Sequence, residues 1–186
     1  MKSKEIISKK TALSIFLIAL VSFFSCTVED DTPEPIKTES FKVKAVAMIA
    51  SEFPSTEGDV LEIFGEIKAR VTVGDQADER TLWTRNTSNW EPVGSTEYVI
   101  NSEGSEVVFT LTEEELNDGA RIEYEAIMWD KDPDGNPDDY LGKHSTSSRA
   151  IIYTELPNNE TRGSLVLKEF NGITLVVRIT VEHIRD

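Results

Sequence analysis

Between Trp129 and Gly142 the chain reads WDKDPDGNPDDYLG, which gathers Asp130, Asp132, Asp134, Asp138 and Asp139 into one short loop with a single lysine among them. Two unit charges about 5 Å apart repel by roughly 3 kcal/mol at an effective dielectric near 20, so such a loop splays open unless a cation sits in it. Calcium takes many oxygen ligands and tolerates irregular geometry, whereas magnesium wants a near-ideal octahedron and keeps its water. Zinc is disfavoured because no cysteine or histidine stands among the candidate ligands. Calcium is the expected occupant. The competing reading is a solvated acidic turn, which Asp, Gly, Pro and Asn favour for backbone reasons alone.

Such chemistry needs rigid elements beneath it. From Arg121 to Trp129 apolar and polar residues alternate, so that Ile122, Tyr124, Ala126 and Met128 share a face, and Asp130 and Asp132 continue that side to the end of the strand. Pro133, Gly135 and Pro137 then turn the chain back. Leu61 to Val73 and Ile173 to Val181 alternate in the same way, with Gly65 on the apolar face, where a bulge or a close backbone approach is expected. Further strands are expected at Phe41 to Ile49, Arg80 to Thr84, Thr96 to Asn101, Glu106 to Leu111, Arg149 to Thr154 and Ser164 to Glu169. Eight or nine short strands with one short helix make an all-β antiparallel sandwich. The helix is announced by Thr112-Glu-Glu-Glu115, which has the form of a capping box.

Two families use loops of this composition. Asp130-x-Asp132-x-Asp134-Gly135 resembles the opening of an EF-hand calcium loop, but Leu141 stands where that family places a bidentate glutamate, and strands flank it. The stretch Trp129-Asp-Lys-Asp132 followed by Asp138-Asp-Tyr-Leu-Gly142 is similar to the third calcium loop of the C2 domain, a calcium-dependent phospholipid-binding sandwich. The resemblance implies Asp130, Asp132 and Asp139 as calcium ligands with Asp138 as an extra. It also sets Glu57, Asp59 and Glu62 in the place of the family's first calcium loop.

The start of the chain concerns location. Lys2, Lys4, Lys9 and Lys10 precede an apolar run from Ala12 to Phe24, too short for the roughly 20 residues a membrane-crossing helix needs. Phe23-Phe24-Ser25-Cys26 resembles a bacterial lipobox, so residues 1–25 are expected to be a lipoprotein signal peptide and Cys26, the single cysteine, to carry the lipid. A plain signal peptide cut nearby is the other reading. Residues 26–40 are acidic and broken by Pro33 and Pro35, as a flexible tether would be. Their acidic start resembles the signal that sends lipoproteins of Bacteroidetes-type bacteria to the outer face of the outer membrane; an acidic linker without an address is the alternative. Residues 41–186 are left as the sandwich domain.

The chain carries a formal net charge of −15; without residues 1–25, which hold four lysines and one glutamate, it is −18. A surface this acidic repels nucleic acid and anionic lipid. No G-x-S-x-G element accompanies His144 or His183, both expected at the surface, so no enzyme is expected. The sequence therefore describes a lipid-anchored envelope module whose calcium-ordered loops recognise a protein or glycan. Its rival is a carbohydrate-binding or adhesion sandwich in which Trp83 and Trp90, flanking TRNTSN, do the work and the acidic loop is incidental.

Overall fold

The computed structural model describes residues 35–51, 60–101, 104–132, 137–156, 160–168 and 174–185. The expected signal peptide, Cys26 and most of the tether lie outside the described residues, as do Glu57, Asp59 and Asp134. Ile36–Asp186 forms one compact unit.

Two long strands organise it. β1 (Thr38–Ser51) and β2 (Val60–Val73) have 14 residues each, and each is the central rail of a five-stranded antiparallel sheet. In the first sheet β10 (Thr174–Ile184) pairs one edge of β1 and is itself paired by β9 (Glu160–Lys168). Along the other edge of β1 lie β6 (Glu106–Thr112) and the two-residue β5 (Tyr98–Val99). The second sheet repeats the scheme: β7 (Arg121–Asp130) and then β8 (Asp139–Arg149) extend one edge of β2. Its other edge is shared by β3 (Gln76–Arg85) and β4 (Glu91–Gly94).

The inward faces of the two sheets make the core, and the alternation read from the sequence is the alternation of burial. On β7 Ile122, Tyr124, Ala126 and Met128 are buried; on β10 Leu175, Val177, Ile179 and Val181 are. On β1 a bulge between Ala45 and Ala47 shifts the phase, so Met48 and Ala50 take over the inward side from Phe41, Val43 and Ala45. Gly65 lies opposite Met128 with φ +138°, and a Cβ there would stand 2.1 Å from the Ile127 carbonyl oxygen. The expected close approach thus admits no side chain.

Several elements depart from the sequence reading. β1 begins at Thr38, paired with Thr112, so the strand takes in the last residues assigned to the tether. Arg149 to Thr154 is not a strand: Arg149 ends β8, and α2 (Ile151–Thr154) follows. Buried residues there, Ala150 and Tyr153, are three apart, a helical spacing, and Tyr153 packs edge-on against Phe41 at 6.5 Å. β8 itself, DYLGKHSTSSR, lacks any apolar alternation and is a strand because β7 pairs it along its whole length. The capping box at α1 (Glu113–Asn117) is present as read: the Glu115 N–H donates to Thr112 Oγ1 at 3.2 Å, and the Thr112 N–H donates to Glu115 Oε2 at 2.7 Å.

Candidate metal centre and its rim

β2, β7 and β8 bring the acidic residues together at one end of the second sheet. Asp130, the last residue of β7, faces inward and is only 6% exposed. It sits opposite Ile63 on β2 and Asp139 on β8, and its Oδ1 accepts from the Glu62 N–H at 2.7 Å. One residue on, the Lys131 N–H donates to the Glu62 carbonyl at 3.0 Å, so this end of the β2–β7 ladder is closed partly by a side chain. A buried carboxylate needs such a donor, and the bond makes Asp130 a structural group whether or not it also meets a metal.

Asp132 is half-buried just past the strand. Desolvation lifts its carboxyl above the ordinary aspartate range, and the charges of Asp139 and then Asp138 lift it further. Asp138 is exposed, and Asp139, which opens β8, is half-buried. Asp132 therefore lies within electrostatic reach of both. Glu62 is half-buried on β2 with its neighbour Pro92 on β4. Among the described residues no three carboxylate, imidazole or thiol side chains are gathered closely enough to hold an ion. The donors near this rim are all oxygens, the chemistry that suits a hard cation and not zinc or copper, but the described ones are not drawn together into a coordination shell.

The two tryptophans of the rival reading are placed differently from each other. Trp83 is 3% exposed, inside the core, with the Arg85 guanidinium 5.6 Å from its ring centre and its Nε1 without an acceptor among the described residues. It anchors β3 and offers no face for stacking on a sugar, because the bulge beside Ile67 turns it inward with Leu82. Trp90 is half-buried, and the Lys131 ammonium lies 5.8 Å over its ring.

The histidines also divide. His183 is not at the surface: it is 5% exposed, stacked on Phe41 at 5.3 Å, with Nε2 2.6 Å from Glu39 Oε2. Its position on the inward side of β10, in step with Val181, carried that information. His144 is exposed as expected and ties the two sheet edges together, its Nδ1 3.1 Å from the Val166 N–H and 3.0 Å from the Val166 carbonyl.

One feature of the rim was missed by sequence reasoning. Phe64, Trp129 and Tyr140 form a row of rings on the solvent side of the second sheet, beside the acidic loop. The available signal was Phe64 between Glu62 and Glu66, an aromatic on a polar face.

The molecule is thus an antiparallel two-sheet sandwich with an acidic loop at one rim. No family model and no curated protein sequence matches the chain. Among solved structures it is similar to extended synaptotagmin 2 in its two C2 domains with calcium bound, at 15% identity and TM-score 0.37, over 80% of this chain and 46% of that one. It is also similar to human GIVD cytosolic phospholipase A2, at 13% identity and TM-score 0.34, over 81% of this chain and 16% of that one. A third is a C2-domain structure, at 14% identity and TM-score 0.26, over 77% of this chain and 98% of that one. The likeness concerns fold alone, and the sandwich assignment rests on the strand pairings above.

Proposed function

We propose that the protein is a lipid-anchored cell-envelope binding module, not an enzyme, whose aspartate loop binds calcium and so orders a recognition surface. The observation that carries this reading is the placing of Asp132, Asp138 and Asp139 at one rim, where burial first, and the charges of Asp139 and Asp138 after it, lift the Asp132 carboxyl. Like charges kept together on strand ends that are otherwise well paired cost stability unless a divalent ion is bound. Asp130, Asp132 and Asp139 are the residues that would hold it, Asp130 being oriented by its bond to Glu62, with Asp138 as an extra. Glu62 on β2 and, from the sequence, Glu57 and Asp59 are the further candidates. When bound, calcium supplies charge neutralisation and a fixed loop conformation; the protein's own carboxylates supply the oxygens. The lipid at Cys26 keeps the module at the outer membrane, and the acidic domain favours a protein or glycan partner over anionic lipid.

The test is thermal melting of the purified chain in excess EGTA and in about 1 mM Ca²⁺. Saturating metal at about a hundred times its Kd adds roughly 2.7 kcal/mol, an upward shift of about 5 °C or more for a domain of this size. Superimposed curves would end the proposal.

A further inference from the structure

The row of rings beside the acidic loop follows from strand register. Phe64 on β2 lies opposite Trp129 on β7, and Trp129 lies opposite Tyr140 on β8. Phe64 and Trp129 stack with centroids 5.7 Å apart and planes 12° from parallel; Trp129 and Tyr140 are 5.3 Å apart and tilted by 50°. Phe64 and Trp129 face each other. Tyr140, at the end of the row, stands with 50% of its surface in water.

Elsewhere the chain covers its rings with its own cations: Arg80 over Phe109 at 5.2 Å, Arg85 over Trp83 at 5.6 Å and Lys131 over Trp90 at 5.8 Å. Among the described residues none lies over Tyr140. Lys143, three residues further along β8, is held by Glu125 at 2.8 Å. The residues just before Tyr140, Asp138 and Asp139, pair with no lysine or arginine among the described residues. Tyr140 is thus an exposed ring, backed by two others and bordered by carboxylates that have no counter-charge among the described residues.

We propose that this end of the row docks an arginine-bearing segment of a partner protein, the guanidinium lying on the Tyr140 ring with its N–H fork on the Asp138 carboxylate. A planar guanidinium can stack and pair at once, which an ammonium cannot. A ring already fixed by its neighbours loses little freedom on binding, and Tyr and Arg are the residues from which interface hot spots are built. The net charge of −15 draws a basic partner toward this surface. A neutral glycan would need several open ring faces side by side, and Phe64 and Trp129 turn theirs toward each other.

The experiment uses the full chain in EGTA, so that it stands apart from calcium, with hexa-arginine and hexa-lysine peptides titrated calorimetrically at about 150 mM salt, where nonspecific attraction is screened. Hexa-arginine is expected to bind at least about threefold tighter than hexa-lysine. Tyr140→Ala, which leaves the net charge unchanged, should weaken hexa-arginine about tenfold and erase the difference between the peptides, whereas Tyr140→Phe keeps it. Asp138→Asn, at an exposed position with no hydrogen bond among the described residues, gives a second variant and should weaken hexa-arginine about threefold. Equal affinities for the two peptides, or unchanged binding in Tyr140→Ala and Asp138→Asn, would overturn the proposal and leave bulk charge as the only attraction. Tyr140-dependent binding of a neutral oligosaccharide without peptide preference would reassign the surface to a glycan.

Discussion

The outer face of the first sheet and the loop end of the second use charge in opposite ways. On the first, Lys42 meets Glu182 at 2.5 Å, Lys44 meets Glu106 at 3.9 Å, and Arg178 is bonded to Glu97. These pairs line an open hollow of about 610 Å³. At the loop end of the second sheet Asp132, Asp138 and Asp139 stand together, and among the described residues none has an ion-pair partner. Matched surface pairs add little to stability but leave nothing for a ligand to complete. Unmatched like charges lower the stability of the free protein and raise the return on binding a cation, so the second region is where function is to be sought. Between the two stands Asp130, in the acidic region by sequence but with a backbone donor of its own.

Asp130 gives the largest effect. Asp130→Ala leaves the Glu62 N–H buried without an acceptor and should cost about 2–4 kcal/mol in denaturant unfolding, with or without calcium. Asp130→Asn, whose amide oxygen can still accept, should cost less than half as much. A loss under about 1 kcal/mol for the alanine variant would place Asp130 with its neighbours as a free carboxylate and collapse the distinction drawn here.

Asp132 comes next, and its sign is opposite. Its carboxyl titrates above the ordinary value, so the proton is favoured by the folded state: the metal-free protein is relatively more stable below that raised pKa and loses the contribution as pH rises through it. Calcium needs the carboxylate, so the melting shift it produces should shrink as pH is lowered from 7 toward about 4 to 5. Asp132→Asn should remove most of the calcium shift while leaving the EGTA melting temperature unchanged or slightly higher. A calcium shift that stays constant with pH, or survives in Asp132→Asn, would move the ion away from this rim.

These contrasts also show how far the sequence could be read. Period-two alternation gave β1, β2, β7 and β10 because each buries one whole face, and the capping box gave α1 because its signal is local. β8 was invisible: its strand character comes from the β7 ladder, and a run of Ser, Thr and Lys has no period of its own. Arg149 to Thr154, expected as a strand, contains two isoleucines before Tyr153, and the three-residue spacing of buried Ala150 and Tyr153 belongs to α2 instead. At the rim, composition gave the acidic loop but not the division of labour within it. Asp130 and Asp132 are the same residue type on the same side, and only the pairing of β7 with β2 gives the first a donor. The row Phe64, Trp129 and Tyr140 is formed by three segments distant in sequence, so no local pattern could announce it.

The smallest effects test the comparison most directly, because two similar neutralisations should differ in sign. Glu106→Gln on the first sheet removes the partner of Lys44 and should lower stability by about 0.5 kcal/mol or less, since both side chains are largely in water. Asp138→Asn at the loop end removes one of the charges that burden Asp132, and in EGTA should raise stability by a similar amount. Both changes should fade between about 0.1 and 1 M salt as the Debye length falls from about 10 Å to 3 Å. Two losses of equal size in matched melts would mean that Asp138 has a cationic partner after all, and the loop end would then be a balanced surface like the other.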